Sequence, residues 1–170
     1  GDIFFAAGDS GVIYKMQKDG STAVFYNSQS YPVSKRLCDK DGNLILTSNP
    51  YGQLLKVDSA GKGSELVKFE DSYVWDFIFD ENQNIYAVTG GNKASIYFIK
   101  KDSKTPELLY STTDEFHFYS LAKKGDEIYI GSEGKGILYL YNIKTKNMKN
   151  LYDTFEDEIS KFLIGKDGNV

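Results

Sequence analysis

The sequence predicts an all-β fold assembled from repeated copies of one unit about 42 residues long, and three observations carry that expectation. Apolar runs open at Ile3, Leu44, Ile85, Ile128 and Val170, at steps of 41, 41, 43 and 42 residues. Within each unit the segments are short and rich in Tyr, Ile, Val and Phe, as in NIYAVTG, SIYFIK and EIYIGS, with Gly, Asn, Asp and Ser between them. No unit holds the roughly 10 to 12 uninterrupted residues of 3.6 periodicity that a helix pair would need.

Each unit parses into four strands. The second strand of the sheet is DIFFAAG, NLILTS, NIYAVT or EIYIGS, and the third, after a Gly-rich turn, is VIYKMQ, QLLKVD, SIYFIK or ILYLYN. The fourth closes on an aromatic at Tyr26, Phe69, Tyr110 and Tyr152. The first strand of the following unit is then VSKRLC, VWDFIF, HFYSLA or ISKFLI. Polar turns (DKDGN, DENQN, KKGDE and GKDGN) return to the second strand with residues that tolerate positive φ. A repeat of this length and composition suits the four-stranded blade of a β-propeller. The units fall at approximately 1–38, 39–79, 80–122 and 123–164, with 165–170 starting a further strand.

The pattern G-N-hydrophobic-Tyr-x-x-[ST], followed by G-hydrophobic-Tyr-x-hydrophobic, resembles the bacterial propeller repeats of the NHL, YVTN and two-component-regulator kinds. The resemblance covers the whole chain. It implies a propeller and leans towards an extracytoplasmic setting, but such folds host enzymes, sensors and scaffolds alike. Trp75-Asp76 lies at the wrong place in the unit for a Trp-Asp repeat. The strand at 159–164 has no partner in its own unit. It is expected either to pair with the strand at 2–7 and close a four-blade ring, or to pair with a second copy or further blades of a larger ring, since a bare sheet edge invites pairing.

Composition narrows the function classes. The net charge is −4 and Arg36 is the only arginine, which speaks against nucleic acid. No apolar run reaches the roughly 18 to 20 residues that would span a bilayer as a helix. Cys38 is the only cysteine, expected as a small core residue, so no internal disulfide forms. One histidine provides no His-rich or Cys/His metal cluster. DKDGN is like the start of a calcium loop, but Pro50 stands where the twelfth-position Glu belongs. GSEGKG and VTGGNK match no phosphate-binding loop. No catalytic residue, metal or cofactor is expected.

Two surfaces stand out. The loops entering first strands, with those linking second to third strands, carry Asp9, Glu70, Asp71, Asp114, Glu115, Glu133, Asp153, Glu156, Asp157 and Glu158 against Lys93 and Lys135, a net −8. This acidic face would attract cationic partners and repel nucleic acid. First strands line the channel of a propeller, and counting eleven residues back from each second-strand anchor aligns them in columns. The columns are Val33, Val74, His117 and Ile159; then Ser34, Trp75, Phe118 and Ser160; Lys35, Asp76, Tyr119 and Lys161; and Arg36, Phe77, Ser120 and Phe162. Two further columns, Leu37, Ile78, Leu121 and Leu163, then Cys38, Phe79, Ala122 and Ile164, are apolar.

Trp75, His117, Tyr119, Lys35, Arg36, Asp76 and Lys161 are therefore the candidate ligand-binding set, an aromatic plane beside a few charges at a channel mouth. The competing reading makes Trp75 and Phe118 packing between blades, and the charged residues cross-blade ion pairs. The sequence favours a non-enzymatic module for ligand sensing or protein interaction, taking a protein or a small-molecule or glycan ligand. The alternatives are a fragment of a propeller lyase or hydrolase and a purely structural repeat.

Overall fold

The computed structural model describes residues 3–6, 11–28, 33 and 35–165, and among them every regular element is a strand. Fifteen strands follow in order: β1 (Ile3–Ala6), β2 (Val12–Met16), β3 (Thr22–Asn27), β4 (Arg36–Cys38), β5 (Leu44–Ser48), β6 (Gln53–Val57), β7 (Gly63–Lys68), β8 (Tyr73–Phe79), β9 (Ile85–Gly90), β10 (Ala94–Ile99), β11 (Glu107–Thr112), β12 (His117–Lys124), β13 (Glu127–Glu133), β14 (Ile137–Asn142) and β15 (Asn147–Asp153). They pair as antiparallel meanders: β1-β2-β3, β4 to β7, β8 to β11, and β12 to β15. The last two meanders join into one sheet through a single pairing of His117 with Gly90.

Local chemistry explains the hairpins. Asp39 Oδ1 accepts the backbone N–H groups of Asp41 and Asn43, and its Oδ2 accepts the Asn43 side-chain amide, at 2.8–3.0 Å. Asp80 does the same for Asn82 and Asn84, so the calcium-like spelling is a self-satisfied turn. The meanders then stack face to face. Three buried clusters each lie between successive meanders: Ile13 against Leu44, Leu46 and Val57; Ile45, Leu54 and Val67 against Val74, Phe77 and Tyr97; and Val88 and Ile96 against Phe118, Ile130 and Tyr139. Burial of these facing sheet surfaces is the main stabilising term.

Two kinds of β-bulge recur. In every fourth strand one residue, Phe25, Leu66, Leu109 or Leu151, is skipped by the pairing with the third strand. This corrects the alignment of closing aromatics. Tyr26, Tyr110 and Tyr152 face Ile13, Ile96 and Leu138, but their counterpart facing Leu54 is Val67, with Phe69 two residues further on. In the first strands, Trp75 is skipped between Val74 and Asp76, and Tyr119 between Phe118 and Ser120. A bulge breaks the alternation of faces and re-aims the extra side chain.

Three further expectations change. Residues 159–165 form no strand. Only Glu158 bridges to Glu133, with Ile159 N–H donating to Ser132 O at 3.0 Å, and beyond this point no ladder partner runs alongside among the described residues. No pairing joins this segment to β1, and residues 2, 7 and 166–170 lie outside the described residues. Cys38, expected in the core, is exposed at the end of β4. In the same columns Leu163 is 77% exposed, because the segment that carries it has no sheet to lie on.

Candidate functional site

The register of the first strands decides which side chains converge. Asp76 faces Val88 and Ser120 faces Gly131, each the fourth residue of its second strand as counted from the anchors Ile85 and Ile128. Trp75 and Tyr119 are therefore equivalent, as are Val74 and Phe118, and Tyr73 and His117. Counting back eleven residues misplaces the fourth unit by one. Phe79 meets Ile85 across a five-residue turn, whereas Lys123 meets Ile128 across four, through a tight hairpin at Gly125 and Asp126. His117 thus does not interrupt an apolar column; fully buried Phe118 fills that place beside Val74.

The two bulge residues sit side by side. Trp75 and Tyr119 have ring centroids 5.0 Å apart at 48°. Tyr73 stacks on the indole at 5.4 Å and 8°. His117 stands edge-on to Trp75 at 5.4 Å and 89° and accepts its indole N–H on Nδ1 at 3.0 Å. Lys35, Trp75, Asp76, Tyr119, Ser160 and Lys161 line an open concavity of about 250 Å³ where the first strands approach one another. Five of the seven candidate residues line it and His117 supports it from behind. Arg36 is half-buried opposite Leu46 and is not among the lining. Ser34 lies outside the described residues.

Asp76 ties the site together. Its Oδ1 accepts the Lys35 ammonium at 2.7 Å and the Phe77 N–H at 2.8 Å, while Oδ2 accepts the Leu121 N–H at 3.2 Å. Three meanders are therefore joined through one carboxylate, and Lys35 is held in place over the concavity. Lys161 is exposed on the far side of the concavity. The Tyr119 phenol is pushed up from its ordinary range by burial, then by the nearby charges of Glu158 and Glu133. It therefore remains a neutral hydrogen-bonding group at neutral pH.

The acidic face presents fewer carboxylates to solvent than its composition suggests. Asp71 is buried and accepts hydroxyl hydrogen bonds from Thr89 at 2.7 Å and Tyr97 at 3.0 Å. Glu115, 2% exposed, accepts the Tyr139 hydroxyl at 2.7 Å. Both tyrosines are pushed well above their usual range, first by burial and then by the carboxylate each one serves. These are internal clamps, and the sequence held their signal: an acid two residues ahead of the first strand and a Tyr in the third strand of the same unit. Glu70 pairs with Lys93 at 3.4 Å. Glu156, Asp157 and Glu158 are exposed, and Asp9 lies outside the described residues. The described residues hold no group of three or more His, Cys, Asp or Glu side chains arranged to bind a metal.

No protein-family model matches the chain, and no curated protein matches it. Among solved structures it is similar to the virginiamycin B lyase of Staphylococcus aureus, at 19% identity and a TM-score of 0.71 over 92% of this chain and 54% of that one. It is similar to the extracellular domain assigned to a hybrid two-component system of B. thetaiotaomicron, at 14% identity and a TM-score of 0.76 over 98% and 24%. A gluconolactonase of Xanthomonas campestris matches at 12% identity and a TM-score of 0.68, over 83% of this chain and 54% of that one. The structural neighbours are β-propeller proteins, some of them enzymes and some extracellular sensor domains. At these identities the likeness concerns the fold, and the chain spans about half or less of each structure.

Proposed function

We propose that this chain is a non-enzymatic β-propeller module of four blades that binds a ligand in the cleft between its first strands. The observation that carries the reading is the pair of bulge residues, Trp75 and Tyr119, set beside the Lys35–Asp76 ion pair and Lys161 around one concavity. Aromatic faces attract a ligand with a flat apolar side, and fixed charges at the rim select its polar groups. A glycan or a short peptide fits that description. The exposed acids Glu156 to Glu158 at the adjoining loop would favour a ligand or partner with a cationic portion. Neighbours that include extracellular sensor domains support a sensing role, and those that include a lyase and a gluconolactonase keep an enzyme fragment as the rival.

Trp75 is the only tryptophan, so its emission reports on this cleft alone. Titrating the protein with a panel of neutral, anionic and aminated oligosaccharides and with short basic peptides is expected to shift that emission for one class. Lys161→Glu should weaken binding of an anionic ligand and strengthen that of a cationic one, and Tyr119→Ala should abolish binding while leaving the fold intact. Conversion of any panel member by the wild-type chain, lost in Tyr119→Ala, would replace this reading with the enzyme. Emission unmoved by every class would remove the cleft as a binding site.

A further inference from the structure

His117 accepts the Trp75 indole N–H on Nδ1, an arrangement open only to the neutral ring protonated on Nε2. The ring lies directly over Gly90: a Cβ there would sit 2.1 Å from Nδ1, so the glycine leaves the space that the imidazole occupies. On its other side, His117 is opposite Glu133 in the β12–β13 ladder, and Glu133 Oε2 is buried without a hydrogen-bond donor among the described residues. Directly opposed residues of antiparallel strands have Cβ atoms about 4.5–5.5 Å apart, within reach of one another's side chains. Among the described residues, Tyr73 from β8 stands edge-on to the ring at 5.8 Å, Tyr119 lies two residues further along β12, and Glu158 bridges to Glu133.

From this arrangement we infer that His117 is a proton-driven positioning residue for the binding cleft. When neutral, it holds the Trp75 indole in place as an acceptor. When protonated, both ring nitrogens become donors, the indole loses its acceptor, and the imidazolium turns to the orphaned Glu133 oxygen. Ligand affinity in the cleft is thereby coupled to proton uptake at His117. The effect on ligand rests on the functional reading above, whereas the movement of Trp75 does not. Loss of one neutral hydrogen bond corresponds to roughly a two- to tenfold change in the population of the ordered indole.

The test uses the single His and the single Trp as separate probes of the intact chain without ligand. Acid titration followed by NMR should move the His117 ring signals and the Trp75 indole N–H signal with one shared midpoint. Acrylamide quenching of Trp75 should rise over the same pH interval. His117→Gln keeps an acceptor oxygen and cannot be protonated, so it should retain the fold and lose the step. Glu133→Gln removes the charge that welcomes the imidazolium and should move the step to lower pH. A Trp75 signal that stays constant while His117 titrates, or a step that persists in His117→Gln, overturns the inference. Failure to find a ligand would sink the functional reading and leave these results standing.

Discussion

Replacing Tyr139 by Phe removes one oxygen and leaves a ring of nearly the same volume in the same pocket. The hydroxyl donates to Glu115 Oε1 at 2.7 Å, and the Glu115 side chain is 1% exposed. Its other partner is Lys135 at 3.9 Å, too long for a hydrogen bond and borne on a side chain that is 54% exposed. The substitution therefore strands a buried carboxylate oxygen. A hydrogen bond to a charged group contributes about 1.5–3 kcal/mol, so a loss of about 2–3 kcal/mol is expected. Tyr141 supplies the control: it is almost fully buried and donates to the neutral Leu109 carbonyl at 3.0 Å, so Tyr141→Phe should cost only about 1 kcal/mol. In the Glu115→Gln background the Tyr139→Phe cost should fall to about 1 kcal/mol, giving a coupling of about 1–2 kcal/mol between the two positions. Urea unfolding monitored by circular dichroism measures all of these as midpoint shifts at unchanged slope. Equal costs for the two tyrosine substitutions would refute the view that Glu115 is an internal structural charge.

Other outcomes follow from the same geometry. Tyr97 and Tyr139 have folded pKa values raised above the unfolded value of about 10. Their contribution is thus complete below pH about 10 and is lost as pH rises through the folded values; absorbance titration should show them ionising with unfolding, after the exposed tyrosines. Gly52→Ala should destabilise strongly, because φ is +60° and the new Cβ would meet the Asp71 carbonyl oxygen 1.9 Å away; unchanged thermal stability would show that the loop yields. The exposed Cys38 thiol should react fully with a disulfide reagent in the native state, though slowly at neutral pH because partial burial and Asp39 push it up; reaction only after denaturation would contradict its placement. Native mass measurement separates the alternatives for the strand edges: a persistent monomer at high concentration fits a ring closed by this chain alone, and a dimer fits pairing with a second copy.

The all-β class and the period were legible because apolar runs and polar turns repeat at nearly constant spacing, and the face-to-face stacking of the meanders followed from that. Register was not legible. The turn between Lys123 and Ile128 is one residue shorter than its counterparts, and the bulges at Trp75 and Tyr119 add a residue that no hydrophobic pattern announces. The shorter turn moved His117 from an apolar column to the support of an indole, and the bulges turned Trp75 and Tyr119 towards each other. Lys35, Asp76, Tyr119 and Lys161 were found beside Trp75 because their residue types break the column uniformity, whereas Arg36 was included on type alone. The carboxylate–tyrosine clamps were not legible in the charge of the loops, because a loop position does not tell an acid in water from one folded inwards. The segment 159–165 carries strand-like letters, but a strand needs a neighbour, and letters do not supply one.

A side chain that sits on a bulge is released from the ladder around it. Val74 and Phe77 must satisfy the tightly packed interior, while Trp75 between them answers to nothing on the facing strand. Exchange at that site, and at Tyr119, can retune what the cleft recognises at little expense to folding, which makes the bulge the natural place for descendants of this chain to change their diet.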